Sequence, residues 1–262
     1  MALTVSLFIL ISALMIIAAS VLIVLQIILS LGSGCLIAAY ALIAASFVTL
    51  AVSDHKTNVS SKAFELYESV YMRIVAYLCA VGFGIDTVAY LLNIYDCISG
   101  KAHTIAAIPL FSLSTVFAIL SAFEMVLVAM SFSGSKYNFK RFLLIAFTPL
   151  LWAAVKISYM LLGYVDVSNP ADLLKAIVVA AELLFFYRFA YEVYKDGIAS
   201  RLTLYFADVL TMCGVLYFVS RAALLIADSK SFFDYDNVFA VVVLFTSVFS
   251  FTLKFRIVKY VQ

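Results

Sequence analysis

Eight apolar segments, each close to the roughly 20 residues that cross a hydrocarbon core, run along the chain from Ala2 to Val258. Hydrophobic residues make up 66% and charged residues 12%, against about 45–50% and about 25% in a soluble globular domain. A soluble domain must still present a polar surface, and too few polar residues remain to build one. Lipid is the solvent that fits. Inside lipid every backbone N–H and C=O must be bonded within the chain, which a helix achieves alone and an open strand does not. A β-barrel would show alternating segments of about 10 residues, and the sequence has none. The expected fold is an all-α integral membrane protein, a polytopic bundle of about eight transmembrane helices forming a single domain over residues 1–262.

The helices are expected at about 2–29, 35–52, 70–95, 104–132, 142–164, 173–194, 202–227 and 238–258. Leu31-Gly32-Ser33-Gly34 is a tight break that turns the first two into a hairpin. Between Ser53 and Ser69 the chain is polar, and Phe64, Tyr67 and Tyr71 are spaced as on an amphipathic helix leading into the third span. Asn169-Pro170-Ala171-Asp172 has the chemistry of a helix start. The first segment has no Lys or Arg before it and extends to Leu31, beyond the 7–15-residue core of a secretory signal, so a retained helix is expected. Many transporters are built from repeats, but the two halves share no residue-level similarity and no duplication is inferred.

Charge sets the orientation. An even number of crossings leaves both termini on one side, and that side collects Lys56, Lys62, Arg73, Lys136, Lys140, Arg141, Arg188, Lys195, Arg201, Lys254, Arg256 and Lys259. The other side has Lys101, Lys175 and Lys230, beside Asp96, Asp166, Asp172, Asp228, Asp234 and Asp236. Cytoplasmic connections carry the excess of Lys and Arg, so both termini are expected in the cytoplasm and the plasma membrane is the expected location. Tyr67, Tyr71, Tyr137, Tyr191, Tyr194, Tyr205 and Tyr260 fall near the inner boundary, and Tyr90, Tyr95, Tyr159, Tyr164 and Tyr235 near the outer one, as two interfacial belts require. A net charge of +2 strung along membrane edges makes no nucleic-acid face. The inner bases suit anionic lipid, each contributing about 1 kcal/mol near the surface.

Ionisable residues within the helices are the functional candidates, because charge in hydrocarbon is costly. Glu182 lies near mid-depth of the sixth helix. Asp86, Lys156 and Arg221 lie toward the outside and are expected to form one cluster, while Glu124 and Asp208 lie toward the cytoplasm with Arg73 and Arg188 as available counter-charges. Every helix from the third to the seventh contributes, which is the pattern of a shared polar interior. Ser114, Ser121, Glu124 and Ser131 form a stripe on the fourth helix, and Trp152, Lys156, Tyr159 and Gly163 share a face of the fifth. Gly82 and Gly84 would allow the third helix to loosen before Asp86.

Plainer readings stand beside these. Arg188, Glu192 and Lys195 are spaced to pair along one helix, Asp86 with a base would serve as a structural ion pair, and Glu182 would serve as a hydrogen-bonded neutral acid. A carboxyl that gains and loses a proton at the depth of Glu182 would instead couple protons to transport. Cys35, Cys79, Cys97 and Cys213 form no CxxC motif and no zinc spacing, and they read as small apolar residues. Cys35 and Cys97 both lie near the outer face, where a disulfide is the alternative. His55 and His103 fall on opposite faces. No HExxH, GxSxG or phosphate-binding glycine loop occurs, so no bound cofactor or metal is expected and a membrane enzyme comes third among the functional readings.

The first functional expectation is a small-solute or ion transporter, coupled to protons, using the polar interior of helices three to seven. The alternative is a membrane-embedded sensor or assembly subunit that binds a partner subunit, or a second copy, through the segment from Lys56 to Glu68 and the basic end from Lys254 to Lys259.

Overall fold

A computed structural model describes residues 2–29, 34–56, 69–100, 107–132, 145–162, 170–194, 200–228 and 235–259. Among the described residues there are eight α-helices and no strand. They are α1 (Ala2–Leu29), α2 (Gly34–Lys56), α3 (Val70–Ile98), α4 (Ile108–Ser131), α5 (Thr148–Leu162), α6 (Pro170–Tyr194), α7 (Arg201–Asp228) and α8 (Tyr235–Lys259), and a 3-10 turn, Ile145–Phe147, leads into α5. Six of them, α1 to α4, α7 and α8, are long and apolar enough to cross a membrane. The chain is thus an integral membrane protein built on apolar helices. α5 has 15 residues, about 22 Å at 1.5 Å per residue, which is short of a core of roughly 30 Å. α6 is long enough, but every 18-residue stretch of it carries at least three of Asp172, Lys175, Glu182, Arg188 and Glu192.

Proline chemistry sets three helix starts. Pro109 stands in the first turn of α4, Pro149 in that of α5, and Pro170 opens α6. Proline lacks the N–H that a first turn leaves unused, and its fixed φ suits that position. α4 therefore begins at Ile108 and α5 at Thr148, later than hydropathy places them, while α6 begins earlier. α3 is capped by Ser69, whose hydroxyl accepts from the Met72 N–H at 3.3 Å. It ends before Gly100, whose φ of 68° is the left-handed geometry common after a helix.

Outward surfaces are apolar. Leu10, Leu14, Ile17 and Val21 of α1 are exposed, as are Ile74, Leu78, Val81, Ile85 and Val88 of α3. Spacings of three and four residues gather each set into one stripe, a surface that lipid solvates and water does not.

Helix contacts divide the chain into two compact units, Met1–Phe64 with Ile198–Gln262, and Glu65–Gly197. In the first unit α1 packs on α2 and α7 on α8, with α7 also against α1 and α2. In the second α3 packs on α4, α4 on α5 and α5 on α6.

The α7–α8 seam is made of small and hydroxyl residues. Thr211 and Ser250 hydroxyls bond at 2.9 Å, and the Ser247 hydroxyl donates to the Leu210 carbonyl at 3.2 Å. Such residues let helices approach closely where lipid offers no hydrophobic drive between them. Gly214 is the closest point, since a Cβ there would overlap Ser247 Oγ and stand 2.9 Å from Val243 Cγ1. Gly214→Ala is therefore expected to destabilise the first unit by about 1–3 kcal/mol, the usual cost of overpacking. Adding Ser247→Ala should recover part of that loss. Melting in detergent reads both, and an unchanged Gly214→Ala melting temperature would show that the helices are not this close.

Candidate functional site

Each unit buries a charge cluster. In the second unit Asp86 on α3 is 0% exposed, and Trp152 and Lys156 on α5 are 0% and 1% exposed. Trp152 and Lys156 are one helical turn apart, so both reach the same face. Trp152 Nε1 donates to Asp86 Oδ2 at 2.8 Å, and Lys156 Nζ lies 3.4 Å from each Asp86 oxygen. The ammonium also stands 4.4 Å from the Trp152 ring and 5.5 Å from that of Tyr90, distances at which a cation is drawn to an aromatic face. Phe83 meets Trp152 edge-on at 4.9 Å. The pair is thus buried and walled by rings.

Glu182 occupies the midpoint of α6, twelve residues after Pro170 and twelve before Tyr194. It is fully buried and acts electrostatically on Lys156 and on Cys79. Lys156 is therefore acted on by two acids of this unit, Asp86 and Glu182, and by a second ammonium, Lys175. Glu124 is also buried, on α4; its Oε2 accepts from the Thr148 hydroxyl at 3.2 Å, and its Oε1 has no hydrogen-bond partner among the described residues. Arg188 and Glu192 pair at 3.7 Å along α6, and the Arg188 guanidinium lies 5.0 Å from the Tyr191 ring.

Asp208 and Arg221 belong to the first unit. Arg221 donates to Asn237 Oδ1 from Nε at 3.3 Å and from Nη2 at 3.1 Å, and its Nη1 lies 3.6 Å from Asp236. Asn237 and Asp236, at the start of α8, are thus among its partners. Asp208 takes Lys254 as a counter-charge through a short contact. The same Lys254 Nζ lies 2.8 Å from Asp54 Oδ1. Asp54 and Lys254 are 1% and 4% exposed, so these two residues, which the sequence places in a polar connection and a basic end, belong to a buried triad. Ser12, Leu50, Asp208, Thr211, Phe251 and Lys254 help to line a cavity of about 90 Å³ beside it.

No family model, curated protein or solved structure matches this chain. Its chemistry has to be read from these groups alone. All four cysteines are free thiols, Cys35 half-buried and the others buried. Among the described residues no group of three or more His, Cys, Asp or Glu is placed to hold a metal ion. His103, the His55 side chain, and the basic connections at Lys62, Lys136, Lys140, Arg141 and Lys195 lie outside the described residues.

The two clusters can do related things. Each buries an ammonium against a carboxyl with a further acid in the same unit, so a proton gained or lost at either cluster changes its net charge in the interior. The unit-one triad had one sequence signal. Ser247, Ser250 and Lys254 lie three and four residues apart on α8, a polar stripe that ends on the lysine and marks it as inward-facing.

Proposed function

We propose that all eight helices span the membrane, that both termini are cytoplasmic in a plasma-membrane setting, and that the chain moves a small solute or ion with coupling to protons. The observation that carries this reading is the burial of Asp86, Lys156 and Glu182, none more than 1% exposed. A charged residue at the centre of a membrane helix costs about 2.5–3.5 kcal/mol on insertion scales. Apolar residues of similar volume commonly hold a bundle as well or better. Groups kept at that cost are the ones that ion and proton pathways use. Inward-facing Glu182 and Glu192 also support α6 as a span, since their charges then turn away from lipid.

The second reading, a sensor or assembly subunit, is favoured by the state of Asp86, which Trp152 and Lys156 engage together as in a static scaffold. Reconstituted protein with an entrapped pH dye separates the two. Sodium, potassium, a neutral amino acid, a sugar and a dicarboxylate would be supplied in turn under an imposed pH gradient. Transport predicts that at least one of these accelerates proton movement over protein-free vesicles. Folded protein that responds to none of them overturns it in favour of the second reading.

The proposed topology predicts thiol labelling. With Cys35, Cys79, Cys97 and Cys213 replaced, Lys136→Cys and Gln262→Cys should react with an impermeant reagent only from the cytoplasmic side, and Ser231→Cys only from outside. Twelve bases against three on the two faces give this arrangement its direction. The reversed labelling pattern would overturn it.

A further inference from the structure

The triad of unit one is short of one positive charge. Lys254 supplies a single ammonium to two carboxylates, 2.8 Å from Asp54 Oδ1 and in short contact with Asp208 Oδ2. With both acids ionised the cluster would hold a net formal charge of minus one. Asp54 and Lys254 are almost wholly buried and Asp208 nearly so, and an uncompensated charge in such a place is strongly unfavourable.

The remaining oxygen gives the direction of relief. Asp54 Oδ2 is buried and has no hydrogen-bond partner among the described residues. Asp54 Oδ1 and Asp208 Oδ2 meet at the one Lys254 ammonium, which brings the two side chains together, but two carboxylates have no hydrogen to share. One proton supplies it. Two carboxylates held this close also cannot both ionise comfortably.

No other described group supplies the missing charge. α1 has no titratable side chain. α2 brings Asp54, α7 brings Asp208 and α8 brings Lys254; among the described residues, Lys254 and Asp54 are the charged groups that act on Asp208. The His55 and Lys56 side chains and those beyond Phe255 lie outside the described residues. The cavity of about 90 Å³, bordered by Asp208, Lys254, Thr211 and Ser12, exceeds the roughly 10–15 Å³ that one water needs.

We propose that Asp54 and Asp208 hold one proton between them under the clamp of Lys254, making this end of unit one a proton-binding site. The proton arrives from water and converts one carboxylate to a carboxylic acid. That acid donates to the other carboxylate, Lys254 stays an ammonium, and the formal charge of the cluster goes from minus one to zero. The site names an ion for the transport reading, but it rests on that reading only for its use in flux.

Infrared difference spectroscopy of the purified protein at neutral pH tests it without any flux measurement. Asp54→Asn and Asp208→Asn each leave one carboxylate against one ammonium, a balanced pair, so both variants are expected to fold. Wild-type minus either variant should show the loss of the same protonated-carboxyl band, which shifts in deuterium oxide. Wild-type protein grown with carboxyl-labelled aspartate gives the same test with no substitution, because the band must move with the label while bands of Glu124 and Glu182 stay. Difference spectra that contain only carboxylate bands, or no labelled acid band in wild type, overturn the proposal. So does an acid band that vanishes as sodium replaces a bulky organic cation, since the site would then hold a monovalent cation. Failure here leaves the transport assay standing, and a protein that transports nothing can still hold this proton.

Discussion

Replacing Lys156 with methionine is expected to destabilise the second unit by about 3–5 kcal/mol, the cost of leaving one member of a buried ion pair alone. Methionine keeps most of the length and the apolar stem, so the loss reports the ammonium more than the packing. What is left behind is Asp86, 0% exposed, with Trp152 Nε1 at 2.8 Å as its described donor. One neutral donor does not balance a carboxylate in an aromatic-walled interior. Adding Asp86→Asn removes that charge while leaving an amide oxygen for the Trp152 N–H. The double variant should therefore be more stable than Lys156→Met alone, with a coupling of at least about 1 kcal/mol. Recovery is expected to be partial, because Glu182 also acts on Lys156 and stays in place. Chemical unfolding in detergent measures all four corners of the cycle. Strictly additive losses would mean that the two charges do not depend on each other.

Why this pair could be foreseen and others could not is a matter of what sequence spacing encodes. Hydropathy summed over a whole span is a strong signal, and it located eight segments close to the eight helices. It is blind to the first turn, where proline placed the starts of α4, α5 and α6. Depth can also be counted along a helix, which put Asp86 and Lys156 at one level. Azimuth and neighbour identity cannot be counted in that way. Arg221 shares the outer level by count, yet Asn237, sixteen residues later on the next helix, and Asp236 engage it. Asp54 and Lys254 sit near helix ends among other charged residues, where the serine stripe through Ser247 and Ser250 is the one local cue for Lys254 and none points to Asp54. Tertiary packing of α2, α7 and α8 decides the rest.

The two units use the same charge arithmetic with different reach. In unit one both acids touch the lysine, at Asp54 and at Asp208. In unit two Asp86 touches Lys156, while Glu182 acts on it through space. A second acid in direct contact is fixed by the base it shares. In unit two a change of protonation at Glu182 alters neither member of the Asp86–Lys156 pair, which can stay closed. Glu182 therefore fits a coupling role better than Asp86 does.

Glu182→Gln is accordingly expected to keep the protein folded and to abolish proton-driven flux. Glutamine retains the volume of a protonated glutamic acid and much of its hydrogen bonding, so the cost should be no more than about 1 kcal/mol, the net value of one hydrogen bond. Lys156 is not left alone by the change, because Asp86 stays 3.4 Å away. Proton coupling is another matter. An amide cannot take up and release a proton at the midpoint of α6, about 18 Å along the helix from either end, where neither interface can stand in for it. Exchange of the solute itself, which needs no net proton movement, should survive. Melting in detergent and pH-driven uptake in liposomes, run on the same preparation, give the two readouts together. A marked drop in melting temperature would make Glu182 an ionised structural partner of Lys156. A stable variant with uptake as pH-dependent as the wild type would take Glu182 out of the mechanism and leave the proton to the Asp54–Asp208 pair.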